Sequence, residues 1–382
     1  MTRRPDVIIA GLGAMGSAAA HHLASRGLRV LGLDRFTPPH TQGSSHGRTR
    51  IIREAYFEHP LYVPIVQRAY DLWDELQREA GRPLLQITGG LMIGPPGGPL
   101  YQGARTSARQ HRLSHELLEA REVRRRFPAL QPTDDLAAVW EPRAGILFPE
   151  ECISAHLRLA AARHAELHFD EPVLRWEPDG EGVRVETGRG TYRASHLVIS
   201  AGPWARSLLN TTPEPPLQVE RQVLLWLGAT GNPGAFAPER CPIHLWQTPG
   251  GEYFYGFPNL GDGVKLACHH SGTPTTPEEV CREVLPADEA ALRAHVRAYL
   301  PDANGPVLSG AVCLYTNTPD AHFWIDRHPL HPQVRIVSPC SGHGFKFASA
   351  IGEIVAEEVT GVGSRFDLSL FRSRGSRAAQ GA

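Results

Sequence analysis

Of the 39 basic side chains in this 382-residue chain, only Lys265 and Lys346 are lysines; all the others are arginines. A lysine offers a compact point charge that sheds its proton when desolvated, whereas arginine is a broad, permanently charged plane. In so arginine-rich a chain the two ammonium groups mark places that need a small cation, and each has chemical company. Lys265 stands four residues before His269 in Gly263-Val264-Lys265-Leu266-Ala267-Cys268-His269, and a strand there turns both to one face, an ammonium beside an imidazole. Lys346 ends Ser341-Gly342-His343-Gly344-Phe345-Lys346. There Gly342 and Gly344 let backbone approach a planar ligand, and a helix begins whose positive end suits negative charge. Arg50 and Arg53, three apart, share a face if their stretch is helical. A guanidinium grips a carboxylate through paired hydrogen bonds, which suits an amino-acid substrate.

The elements that must position these groups begin near the N-terminus. Asp6-Val7-Ile8-Ile9-Ala10 is a continuous apolar run of the kind a strand buried on both faces requires, and Gly11-Leu12-Gly13-Ala14-Met15-Gly16 follows it. A helix through Ala18 to Ala24 stops at Gly27, and Arg29 to Leu33 makes a second strand that ends at Asp34. Gly11, Gly13 and Gly16 allow the turn, the approach of a pyrophosphate and close helix packing, and Asp34 can bond a ribose hydroxyl. The pattern predicts a dinucleotide; by itself it does not choose between FAD and NAD.

Beyond Asp34 the segment 35–47 is a long run of turn formers under which something extended must lie. A helix through Leu61, Ile65, Ala69, Leu72, Trp73 and Leu76 follows, and the glycines and prolines from Pro83 to Pro99 mark a change of layer. The run holding Arg121, Arg124, Arg125 and Arg126 reads as a solvated helix face. A helix is expected behind Pro149, and His196 to Ser200 reads as a buried strand returning to the nucleotide sheet. From about 217 to 314 the texture changes to strands with hairpin signals, an antiparallel sheet inserted into the nucleotide domain. A last strand, Val334 to Ser338, precedes a helix from Phe345 to Thr360.

Composition narrows the partners. A formal net charge of -1 argues against a nucleic-acid or anionic-membrane surface. No apolar run approaches a membrane span, and Arg3-Arg4 lacks the apolar stretch of an export signal, so a soluble cytoplasmic protein with a small-molecule partner is expected. The six cysteines, Cys152, Cys241, Cys268, Cys281, Cys313 and Cys340, show no metal-ligand spacing and read as thiols; no metal is expected.

Taken together, Gly11 to Gly16, the Pro38-Pro39-His40 loop, Gly47-Arg48-Thr49-Arg50-Ile51-Ile52-Arg53, Tyr255-Gly256-Phe257-Pro258, Lys265 with His269, Cys313-Leu314-Tyr315-Thr316 and Ser341 to Lys346 resemble the monomeric sarcosine oxidase and N-methyltryptophan oxidase family of FAD-dependent amine oxidases. The likeness runs from about residue 5 to 362. It implies an α/β fold with a discontinuous, Rossmann-like FAD-binding domain (1–85, 150–216 and 315–382) and a substrate domain (86–149 and 217–314) on a mixed, largely antiparallel sheet.

The resemblance further implies a monomer that takes a secondary amino acid and O2, and FAD held covalently through Cys313, which on its own would read as an ordinary buried thiol. Arg53 becomes the carboxylate clamp with Lys346 as second cation, while Arg50 and His46 lie against the flavin. Arg35, Ser44, Val173 and Phe345 join the cofactor's surroundings, and Tyr255 and Tyr315 line the substrate side. Lys265 is the oxygen-activating cation, because superoxide charge develops as electrons leave reduced flavin. With no general base apparent, hydride transfer from the neutral amine is expected, giving an imine and hydrogen peroxide. Trp246, nine residues before Tyr255, would narrow the pocket or stack on a substrate ring, so N-methyl and cyclic amino acids such as sarcosine, N-methylalanine, proline and pipecolate all stay open. A nicotinamide dehydrogenase, a flavin dehydrogenase passing electrons to a partner and a noncatalytic flavin-binding subunit are the rival readings.

Overall fold

The computed structural model describes residues 4–209, 217–338 and 341–372; Cys340 and the segments 210–216 and 373–382 assigned to the FAD-binding domain lie outside them. Six strands form one sheet in the order Trp324–Arg327, Val334–Ser338, His196–Ile199, Val7–Ala10, Val30–Leu33, Glu166–His168. Every neighbouring pair is parallel except the first. The period of two along Val7–Ala10 explains why the run is apolar throughout. Val7 and Ile9 face helices Ala14–Ser25, Tyr62–Ala80, Pro149–Ala162 and Ala348–Val359. Ile8 and Ala10 face a three-stranded antiparallel meander, Val173–Asp179, Gly182–Thr187 and Gly190–Ala194, through Trp176, Val183 and Val185.

A second, larger sheet runs Thr273–Pro274, Gln218–Leu227, Val264–His269, Tyr253–Asn259, Ile243–Gln247, Gly90–Gly94, Ala137–Glu141, Glu116–Glu119, with Val307–Asn317 paired to Gln218–Leu227. It is antiparallel except between Ile243–Gln247 and Gly90–Gly94, which makes it mixed. Alternation again assigns its faces. Leu225, Leu227, Trp246, Phe254 and Leu266 pack on helix Pro286–Tyr299, while Leu224, Trp226, Ala267, Cys313 and Tyr255 point the other way.

A short antiparallel sheet, Arg50–Ile52, Gly145–Leu147 and Leu85–Ile87, ties the layers together. Ile52 and Leu147 enter the helix-side core, and Ile51 and Ile146 pack with Ile243 and Phe257 of the large sheet. The arginine run behaves as a solvated helix: Ala120–Arg126 pairs Arg125 and Arg126 with Glu122.

The glycine turn after Val7–Ala10 is packed to its limit. Gly11 has φ +97°, and a Cβ on Gly16 would lie 1.8 Å from the Gly11 carbonyl oxygen and 2.7 Å from Ser200 Oγ. An ordinary helical Gly→Ala change gains roughly 0.5–1 kcal/mol. Gly16→Ala should instead destabilise by about 1–3 kcal/mol, the range for overpacking, as read by chemical denaturation.

Candidate active site

One large cleft runs along the carboxyl ends of the parallel strands, where an open α/β sheet places its ligand. Gly11, Gly13, Asp34 and Ser200 line one side, and Leu224, Leu245, Tyr255, His269, Cys313 and Tyr315 of the large sheet face them across about 1830 Å³ of space counted out into the open mouth. Asp34 accepts the Leu12 and Phe36 backbone N–H groups at 2.6 and 2.9 Å, which fixes its carboxylate while leaving lone pairs for a ligand hydroxyl. The irregular segment 35–47 contributes Arg35, Phe36, Pro38, Pro39, His40 and Ser44 to the wall. Ser44 Oγ is buried with no partner in the protein, the signature of a polar atom that awaits a ligand.

At the far end of the cleft positive charge is concentrated. Arg50 donates to the Thr49 and Ser44 carbonyls at 2.9 Å and lies 3.5 Å from Cys313 Sγ. Arg53, 2% exposed, is held at 2.9 and 2.8 Å by both carboxylate oxygens of Glu58, donates to the Ala55 carbonyl and stacks 4.3 Å over Tyr56. The chain beyond Arg53 is pinned by Glu141, whose two oxygens accept the Glu54 and Ala55 N–H groups at 2.7 Å. Burial raises the Glu141 carboxyl to about 7 in spite of those two bonds.

Lys346 sits in a 3₁₀ turn, Phe345–Phe347, just before helix Ala348–Val359. Its ammonium donates to the His343 carbonyl at 2.7 Å, and burial, then Arg53, lowers its pKa to about 7. His343, lowered to about 3 by burial, is neutral. One ring nitrogen, Nε2, donates to the Ala321 carbonyl at 2.9 Å, which leaves Nδ1 to accept the Tyr56 hydroxyl. His269, held neutral by burial, meets the Tyr315 hydroxyl at 3.1 Å through Nδ1, and the Tyr255 and Tyr315 hydroxyls bond one another. Burial raises both phenols, so both stay protonated.

Of the residues singled out from sequence, Gly11, Gly13, Asp34, Arg35, Ser44, Arg50, Arg53, Val173, Tyr255, His269, Cys313, Tyr315, Gly342, Gly344, Phe345 and Lys346 all line this cleft. Cys313 is the only cysteine on its wall among the described residues. Gly16 lies behind the wall, in the packed turn. His46 is buried beside it, lowered to about 3 by burial and Arg50, with Nε2 unpartnered.

Lys265 is 2% exposed and lines a separate small cavity. Its nitrogen lies 2.7, 2.8 and 2.9 Å from the Gly47 carbonyl, the Thr49 carbonyl and Thr49 Oγ1. Burial and Arg50 push its pKa well down, while three oxygens at that distance each call for an N–H and favour the ammonium form.

Three expectations change. Lys265 and His269 point to one side of their strand, yet His269 lines the cleft and Lys265 the small cavity, so the two do not share one cavity. Arg50 and Arg53 do not share a helix: Arg50 belongs to strand Arg50–Ile52 and Arg53 follows its end, and that strand carries both to the cleft. Trp246 does not touch the pocket. Leu245 pairs with Tyr255 across the ladder, so those two share the cleft face and Trp246 points to the opposite core, where it stacks 5.3 Å from Phe254 and donates Nε1–H to His244. Sequence reasoning overlooks the roles of Glu58, Leu245 and His343 on the wall and of Tyr56, buried under Arg53. None of them carried a local signal; the place of Leu245 follows from its pairing with Tyr255 on the neighbouring strand.

The family described as FAD dependent oxidoreductase (DAO) matches residues 6–358. The monomeric sarcosine oxidase of Streptomyces avermitilis is 46% identical over 378 residues, 98% of either chain. The N-methyl-L-tryptophan oxidase of Salmonella heidelberg is 38% identical over 369 residues, 96% of this chain and 98% of the relative. Among solved structures, NikD, an amino acid oxidase of nikkomycin biosynthesis, superposes with a TM-score of 0.84 at 24% identity over 97% of this chain and 98% of its own, a likeness of fold.

Because the Lys346 pKa falls to about 7 in the folded state, the unfolded chain binds more protons between that value and 10.5. The contribution of Lys346 to stability therefore rises with pH across this window and is flat below it. Denaturation at about pH 6 to 10 should show wild type gaining stability relative to Lys346→Met as pH rises; a constant difference would contradict the desolvated ammonium.

Proposed function

The chain belongs to the FAD-dependent oxidoreductase family, and from that premise we propose that it is an oxidase of secondary amino acids such as sarcosine that binds FAD covalently through Cys313 and acts as a monomer. The observation that carries this reading is the cleft end where Arg50, Arg53 and Lys346 gather with one ion pair among them, Arg53 to Glu58, beside the only cysteine on the wall among the described residues. On this reading residues 1–85, 150–216 and 315–382 hold the cofactor and 86–149 with 217–314 the substrate.

Bound FAD would supply a two-electron acceptor that takes hydride from the C–H next to the amine nitrogen, leaving an imine that water hydrolyses, and that returns both electrons to O2 as hydrogen peroxide. The protein's own groups do the rest. Gly11, Gly13, Asp34, Arg35, Ser44, Val173 and the turn from Gly342 to Phe345 would hold the cofactor, with Arg50 and His46 against its ring system. Arg53 and Lys346 would take the substrate carboxylate, and for this Arg53 must share or exchange its two bonds to Glu58. The surplus of positive charge disfavours an ammonium substrate, so the amine binds with its nitrogen neutral and no dedicated base is needed. Neutral His269 and the Tyr255–Tyr315 pair would orient it. Lys265 would favour the charge that develops on dioxygen.

Leu245 on the pocket wall, with Trp246 turned away, favours a second substrate class beside sarcosine: cyclic secondary amino acids such as proline and pipecolate.

A peroxide-coupled screen of sarcosine, N-methylalanine, proline and pipecolate should give turnover with at least one; substrate-dependent dye reduction without peroxide would mark a dehydrogenase instead. Acid-precipitated wild type should stay yellow, and Cys313→Ala should release the colour. Lys265→Met should slow reoxidation by O2 about 10²–10³-fold, the cost of removing one preorganised charge. Arg53→Met should raise KM about 10- to 100-fold, since hydrogen bonds to charged groups are worth roughly 1.5–3 kcal/mol.

A further inference from the structure

The small cavity at Lys265, with about 490 Å³ of empty space counted out to its mouth, is separate from the cofactor cleft except for one shared wall, Phe257. Its sides are apolar: Phe148, Trp226, Phe257, Pro258 and Leu260. Buried Lys265 and Thr49 lie at its inner end, with the ammonium 4.7 Å from the Phe257 ring centre and 5.4 Å from that of Trp226. At the rim, exposed Arg48 pairs with Asp262 and lies flat over Trp226 at 4.7 Å.

Resting on the oxidase reading above, we propose that this cavity is the path by which dioxygen reaches the Lys265 side of the cofactor cleft, with the Arg48–Asp262 pair as its cover. The lining selects the occupant. The charges at its two ends are already partnered, Lys265 by three oxygens and Arg48 by Asp262, so a passage walled by three aromatic rings, a proline and a leucine is a poor host for a zwitterionic amino acid, whereas small apolar gases occupy apolar cavities. The large cleft is polar and cationic where a carboxylate substrate would sit, so a second route keeps the gas from competing with substrate or product for one opening.

The backbone couples the rim to the inner end. The Glu150 carboxylate accepts the Gly47 and Arg48 N–H groups at 2.8 and 3.0 Å, and the carbonyls of Gly47 and Thr49 on either side hold the Lys265 ammonium. Arg48 has φ +68°, a left-handed conformation that a non-glycine residue keeps only when its surroundings impose it. Its exposed ion pair is of the kind worth little net stability, so the cover opens at small cost without disturbing the loop that carries the ammonium.

Holoenzyme crystals pressurised with xenon should show a peak between Phe148, Trp226 and Phe257, and Leu260→Trp should abolish it. In stopped-flow measurements the same variant should lose several-fold in the second-order rate of reoxidation by O2, with anaerobic reduction by substrate unchanged. Absence of xenon from the wild-type cavity, or a wild-type reoxidation rate in a Leu260→Trp protein from which xenon is excluded, would overturn the proposal. Failure of the reduced wild type to react with O2 would instead sink the oxidase reading, and the xenon peak would still decide the cavity.

Discussion

Arg50, Arg53 and Lys346 gather at one end of the cleft and Lys265 lies in the small cavity next to it, Arg50 half-buried and the other three buried; among the described residues Glu58 is the one carboxylate in an ion pair with any of the four. A buried charge left without a partner costs several kcal/mol, so such a cluster persists only where backbone carbonyls or an incoming anion complete it. Backbone carries most of the load: the carbonyls of Ser44, Gly47, Thr49, Ala55 and His343 all accept from these four side chains. The site is thus folded around positive charge before any ligand arrives, and a carboxylate or an electron-rich ring is what it lacks.

The architecture around it serves that constraint. The short sheet through Arg50–Ile52 is clamped between two cores, so its arginine cannot retreat to solvent. Glu141, drawn from the large sheet, fixes the two residues after Arg53. His343 is held in one tautomer by the Ala321 carbonyl and passes that order to Tyr56, on whose ring Arg53 rests. Arg53, Tyr56 and His343 are thereby each aimed by a neighbour that is itself held.

Much of this could be read from residue types. The glycine turn, the returning strand, the aromatic-rich hairpins and the two isolated lysines announced a nucleotide sheet facing a second sheet across a charged site. What was hidden depends on parity and partners. Leu245 and Trp246 are adjacent, and which of them faces the cleft follows from the ladder with Tyr253–Asn259, a contact between strands that local pattern does not contain. Glu58 gives no local signal because its role comes from Arg53 folding back upon it. Lys265 and His269 do share the cleft side of their strand, as their spacing requires, yet the Gly47–Thr49 loop screens the lysine into a chamber of its own. Strands Gly90–Gly94, Val173–Asp179 and Val307–Asn317 owe their form to pairing with distant segments and carry weak texture of their own.

The cleft takes its wall from segments far apart in the chain, from Ala10 to Lys346. During synthesis the glycine turn after Val7–Ala10 emerges early, but the segment from Gly342 to Lys346 leaves the ribosome only after most of the wall. The nascent polypeptide therefore has no complete compartment to offer, and cofactor capture belongs to the end of maturation, when the turn from Gly342 to Lys346 closes the wall.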